Sequence, residues 1–305
     1  MMAFLVRRLA MAAFLILAVD ALTFLMVSIV PADPARLILG IHATASAVAE
    51  LRKTMGLDQP LWVQYGRFLW QGLHGNLGFS YAQEEPVGGL IAAAWPRTAL
   101  LAVMAVLAEL AIGVPVGLML TSRRHPTLAA VLENATLVLM SVPLFWVGLI
   151  LLYVFAFKFG WFPLSGGGLA GYVLPAVAVG LTGSATYARL LMATLSEVRE
   201  ADHVRTARAK GASETAVLLR HIARVGLLPF VTQLGADLGN LMGGLVVLES
   251  VFSIVGLGNL AYTAISQSDI QVIESVTLVT TAAIIVLNVA VDLLYAALDP
   301  RVVYN

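Results

Sequence analysis

Residues 98–121 read TALLAVMAVLAELAIGVPVGLMLT, an apolar stretch of helix-forming residues interrupted by a single charge, Glu109. A helix needs about 20 predominantly apolar residues to cross the hydrocarbon core of a bilayer. This stretch is therefore long enough to span, and its length decides the fold class. Five further stretches meet the same criterion, at roughly 9–30, 135–157, 172–195, 226–248 and 274–298. The composition agrees with this reading. Over 305 residues, 60% are hydrophobic and 12% charged, where a soluble domain carries roughly 25% charged residues. Mean hydropathy is +0.90. These values exclude a soluble enzyme, a disordered chain and a nucleic-acid binder, and they predict an all-α polytopic membrane protein of six spans.

Basic residues set the expected orientation. Arg7 and Arg8 precede the first span, Arg123 and Arg124 separate the second from the third, and Arg199, Arg205, Arg208, Lys210, Arg220 and Arg224 crowd between the fourth and fifth. Both termini are thereby expected on the cytoplasmic side. The apolar run of the first stretch continues to Val30, long for a cleaved leader and long enough for a span.

Two segments are too long for plain connectors. The outer one, 31–96, opens on Pro31-Ala-Asp-Pro34 and predicts helices over 44–56, closed by Gly56, and over 61–73. The second of these is amphipathic and too short to span, so it should lie on the membrane surface or on other helices. Gly72, Gly75 and Gly78 predict a loop over 72–80, with Gly75–Ser80 its mobile piece. The inner segment, 196–225, alternates Glu197, Arg199, Glu200, Asp202, Arg205, Arg208 and Lys210 with small residues. A connector needs only about 2–8 residues, so thirty with helical patterning suggest a docking element, the alternative being a solvated hairpin with no partner. The chain accordingly divides into 1–96, the first span with its outer segment, and 97–305, a five-span core carrying 196–225.

The chemistry of a catalyst is missing. The sequence contains no phosphate-binding loop of the Gly-x-x-x-x-Gly-Lys-[Ser/Thr] type, no His-Glu-x-x-His and no nucleophile elbow. It has no cysteine, and its five histidines are scattered, with His42 and His74 isolated in the outer segment. No catalytic residue, metal ligand set or bound cofactor is expected in this chain. Asp20, Glu109, Asp237 and Asp292 fall inside predicted spans, where ionisable groups either line a bundle interior or serve a pathway. Gly239 and Gly243 form a small-xxx-small face for close helix approach. Pro115 should kink the second span, and Pro143 and Pro175 should break the third and fourth.

Within the inner segment, Val204-Arg205-Thr206-Ala207-Arg208-Ala209-Lys210-Gly211, with Leu227-Leu228-Pro229 downstream, resembles the coupling motif of ABC importer permeases, and of the dipeptide/oligopeptide/nickel branch in particular. Met55-Gly-Leu-Asp-Gln-Pro60, Gly75-Asn-Leu-Gly-Phe-Ser80, Glu249-Ser-Val-Phe-Ser253 with Gly256-Leu-Gly258, and Asp292-Leu-Leu-Tyr295 with Asp299-Pro-Arg301 are similar to that branch in the same order. Arg205-Thr206-Ala207 stands where the general motif has Glu-Ala-Ala, and Ile254-Val255 stands where the branch has Trp-Pro. The stretch 55–74 looks especially like nickel-importing permeases.

The resemblance implies a type I ABC importer transmembrane fold in a bacterial-type inner membrane. It implies a second homologous permease, two cytoplasmic ATPase subunits that bind ATP and Mg²⁺, and an extracytoplasmic solute-binding protein. It assigns Arg205, Thr206, Ala207, Arg208, Ala209, Lys210, Gly211 and Ala212 to ATPase coupling, and leaves Asp237, Gly239, Gly243, Glu249 and Asp292 as pathway or helix-packing candidates. Small peptides or nickel, free or chelated, would be the cargo. The alternative is a proton-coupled secondary transporter relaying through Asp237 and Asp292.

Overall fold

A computed structural model describes residues 2–29, 34–40, 42–121, 126–166, 168–199, 204, 206, 209–211 and 223–298. Its elements are overwhelmingly helical: α1 (Met2–Ile29), α2 (Pro34–Leu39), α3 (Ala45–Met55), α4 (Leu61–Leu73), α5 (Val87–Leu120), α6 (Pro126–Ser141), α7 (Leu144–Leu151), α8 (Val173–Arg199), α9 (Ala223–Gly244), α10 (Val246–Val251), α11 (Leu257–Gln267) and α12 (Ile270–Leu298). A two-residue antiparallel ladder pairs β1 (Phe79–Ser80) with β2 (Glu85–Pro86). Among the described residues four helices are long and apolar enough to span, Val6–Ile29, Val87–Leu120, Gly168–Glu197 and Ile270–Val291. The pair Pro126–Ser141 and Leu144–Lys158 makes a fifth if its members form one span. The expected stretch 226–248 falls on α9 and the start of α10.

Contacts group the chain into two units, one of Met1–Thr98, Gly243–Val246 and Val255–Ile285, the other of Ala99–Met242, Val247–Ile254 and Val286–Asn305. In the first, α3 starts at Thr44, whose hydroxyl accepts from the Ala47 N–H, and stops at Gly56 with φ 71°. A left-handed stop of this kind costs glycine nothing. Helix α4 lies against α1, as its amphipathic pattern requires. The Tyr65 hydroxyl donates to the Leu17 carbonyl at 3.0 Å, and the Tyr65 ring sits 5.4 Å from that of Phe24. Burial, and then the charge of Asp20, push the Tyr65 phenol above its ordinary pKa. The core of this unit joins Val87, Ile91 and Ala94 of α5 to Leu257, Leu260 and Ala264 of α11 and to Val272 and Val276 of α12.

That core bears on where the second long helix starts. Helix α5 begins at Val87, ahead of the expected span 98–121 and within the segment 31–96. Burying an apolar side chain contributes about 1.5–3 kcal/mol. Val87 and Ile91, one helical turn apart and joined by the smaller Ala94, favour helix ahead of Pro96.

In the second unit α6 and α7 both pack on α8. Proline behaviour is mixed. Pro143 does break its span: α6 and Leu144–Lys158 meet at 102°. Pro115 interrupts nothing, since α5 runs continuously across it. Nor does Pro175 break the fourth span. It sits in the first turn of α8, where an N–H has no intrahelical partner to lose. Beyond α7 the backbone widens into a π-helical turn over Leu152–Lys158. An aromatic group follows, with the Phe159 and Trp161 rings 5.0 Å apart and Trp161 67% exposed. Exposed aromatic rings beside Lys158 suit a membrane–water boundary.

Candidate functional site

Of the expected coupling residues, Thr206, Ala209, Lys210 and Gly211 are described, and Arg205, Ala207, Arg208 and Ala212 lie outside the described residues. The described ones form a helical turn that stops abruptly. The Lys210 N–H donates to the Thr206 carbonyl at 3.1 Å, and Gly211 takes φ 81°. A Cβ on Gly211 would meet nothing within 4 Å, so the position needs glycine for its backbone and not for room. Val204 is buried, whereas Thr206, Ala209, Lys210 and Gly211 are exposed.

Within the second unit, small residues bring α5 and α8 together. A Cβ on Gly113 would lie 2.7 Å from the Ser184 carbonyl oxygen and 2.8 Å from Tyr187 Cβ. One on Gly117 would lie 2.8 Å from the Ala188 oxygen, and one on Gly183 would run into the Glu109 carboxylate. Close approach of this kind is the principal source of helix association in lipid.

Polar side chains then bridge from α8 to α9. The fully buried Tyr187 donates its hydroxyl to Asp237 Oδ2 at 2.6 Å, and Gln233 Nε2 donates to Asp237 Oδ1 at 2.9 Å. Asp237 is thus occupied as a helix-bridging acceptor. Glu109 is 4% exposed. Tyr187→Phe should cost about 1–2 kcal/mol, the scale of an interhelical hydrogen bond in a membrane bundle. A thermal unfolding midpoint in detergent equal to wild type would show that the bond carries nothing.

Other candidates are placed but not gathered around Asp237. Gly239 is buried on α9, and Gly243 lies on the same helix. The close contact that the structure resolves on α9 is at Gly235, where a Cβ would run into Val291 of α12. Glu249 is completely buried on α10, and its carbonyl accepts from the Ile254 N–H at 2.8 Å. The Asp292 side chain lies outside the described residues.

The loop over Gly75–Ser80, expected as the mobile piece of the outer segment, makes three hydrogen bonds within the first unit. Ser80 Oγ donates to Asp269 Oδ2 at 2.5 Å, the Phe79 N–H to Gln271 Oε1 at 3.0 Å, and Ser275 Oγ to the Leu77 carbonyl at 2.9 Å. Asp269 also receives the Ile273 N–H on its own carbonyl at 3.0 Å, so one residue caps α12 and anchors the loop. Sequence reasoning passed over Asp269 and Glu274. Each stands at the edge of an apolar run, where an acidic residue reads as an ordinary helix start.

Comparison with known proteins places the chain among transporters. The family described as binding-protein-dependent transport system inner membrane component matches residues 113–304, and its N-terminal companion matches residues 1–102. A Brucella abortus chain provisionally assigned as a peptide transport system permease protein is 36% identical over the whole of both chains. The glutathione transport system permease protein of Salmonella paratyphi A is 35% identical over 95% of each, and that of Escherichia coli O6:H1 is 35% identical over 94% of each. Among solved structures, inward-facing MetNI methionine ABC transporter superposes with a TM-score of 0.57 at 18% identity, covering 69% of this chain and 96% of that one. An amino acid ABC transporter superposes with a TM-score of 0.53 at 20% identity, covering 70% and 94%. These two likenesses establish the type I importer fold.

Proposed function

Since the chain belongs to the family of inner membrane components of binding-protein-dependent transport systems, we propose that it is one permease of an ATP-driven importer of short peptides. The observation that carries this reading is the end-to-end similarity to permeases of peptide and glutathione systems. Nickel, towards which the stretch 55–74 leaned, finds no counterpart in those relatives. The proton-coupled alternative is disfavoured by family membership, and Asp237 already serves Tyr187 and Gln233.

In this proposal six spans cross the inner membrane with both termini inside. A second homologous permease completes the pathway, and two ATPase subunits receive the turn ending at Gly211. A solute-binding protein delivers peptide to the outer segment and sets its selectivity. In the reconstituted assembly, uptake of labelled tripeptide should stop when ATP is withheld and continue in the presence of an uncoupler. The opposite pattern would establish the proton-driven alternative. Cross-linkers placed at residues 74–82 should capture the binding protein or the sister permease. Capture of the ATPase there would invert the orientation.

A further inference from the structure

The first unit contains a half-open cavity of about 510 Å³, within the range of about 300–1,000 Å³ that small-ligand sites occupy. Its walls come from α1, the α3–α4 corner, the tethered loop before β1 and the first turns of α12. Two of its lining residues are an acid and a base, Glu274 and Arg67. Glu274 is 7% exposed, and Arg67 is exposed with its guanidinium lying over the backbone of Gly56, where a Cβ would collide with it. An acidic side chain buried in the wall of a membrane helix is costly, and an ammonium in the cavity would stabilise its ionised form. The amide groups of Gln71 and Gln271 line the same space, and Gln271 already spends its oxygen on the Phe79 N–H, so its donor end remains for a ligand. Phe68 and Phe79 supply apolar surface.

A ligand that fits this lining has an ammonium, a carboxylate, amide groups between them and modest apolar bulk. We propose that the cavity is a low-affinity site for a short zwitterionic peptide, with Glu274 receiving the α-ammonium and Arg67 the α-carboxylate. This rests on the peptide-import reading and adds to it a place on the permease itself where cargo is held after the binding protein releases it. Low affinity suits a site on a pathway, because tight binding would slow departure. Arg presents a planar fork matched to a carboxylate, whereas the buried Glu274 offers an acceptor to a compact ammonium.

The chain contains no cysteine, so a single introduced thiol reports on the cavity directly. In the assembled permease–ATPase complex in nanodiscs, without binding protein, Gln71→Cys is labelled with a maleimide in the presence of tri-alanine. Labelling should slow about tenfold at saturation, while Glu50→Cys, exposed and outside the cavity lining, should label unchanged. N-acetyl tri-alanine amide, which lacks both charges, should give no protection. Glu274→Gln and Arg67→Gln should each raise the half-protecting concentration about tenfold. Arg67 is exposed, so its variant carries the test even if Glu274→Gln assembles poorly.

Equal labelling with and without tri-alanine, in a complex whose parent imports it, would overturn the site and leave the import reading standing. Equal protection by the neutral analogue would also overturn it. So would a slowing that appears when phosphatidylethanolamine replaces phosphatidylcholine and is not deepened by peptide, since it would assign the cavity to a lipid headgroup. Protection in a complex that imports no peptide would keep the site and remove the import reading.

Discussion

Gly211→Asp should reach the membrane at a level near wild type and import nothing. Gly211 has φ 81° and open space around its Cα, so the substitution meets no clash within the chain. Its local backbone cost is about 1–2 kcal/mol, and less for Asp than for most residues because its short side chain can bond locally. That is too little to prevent insertion of a bundle whose association rests on its spans.

The expected loss has a different origin. The turn is exposed on its Thr206, Ala209 and Lys210 side, and a carboxylate there would add charge and bulk to a surface proposed to seat in the ATPase. Uptake by the assembled importer, ATPase co-purification and membrane abundance, measured together, separate the two. Full uptake would remove the coupling role from this turn. Lost abundance would show that Gly211 serves folding instead.

Gly113→Val should act in the opposite way, through the bundle. Its Cβ would be pressed against the Ser184 carbonyl oxygen at 2.7 Å and Tyr187 Cβ at 2.8 Å. Neither neighbour is the free end of a flexible side chain, so α5 and α8 must separate to admit it. Overpacking of this kind costs about 1–3 kcal/mol, and here it also lengthens contacts around Gly117 and Gly183 on the same seam. Folded yield after detergent extraction should fall severalfold, with little of the complex assembled. Gly89→Ala, where a Cβ meets nothing within 4 Å, is the matched control and should behave as wild type. Equal thermal stability of the two variants would show that the α5–α8 seam tolerates separation.

Much of this chain was legible in advance because apolar length is a one-dimensional property. Runs such as 98–121 announce membrane helices without reference to any neighbour, and Gly56 and Leu61–Leu73 announce the outer helices through a local stop and periodicity. The segment 196–225, whose coupling role is proposed, stood out for a similar reason, as a polar stretch too long for a connector against apolar surroundings. Gly211 then proved to need the conformation that glycine permits.

What only the tertiary structure decided concerns pairs of residues far apart in the chain. Tyr187 and Asp237 lie 50 positions apart and Ser80 and Asp269 lie 189 apart, and nothing in the local sequence of either partner specifies the other. The same holds for the early start of α5 at Val87, which depends on Leu257 and Leu260, and for the cavity that unites Arg67 with Glu274. Proline showed the division most clearly. Pro143 breaks its helix while α5 passes through Pro115 unbroken, because the outcome depends on whether surrounding packing compensates the missing hydrogen bond. Transfer of side chains from water to lipid is set residue by residue and can be read from the sequence. Partner choice inside the bundle is set by close approach between helices, which exists only once they have packed.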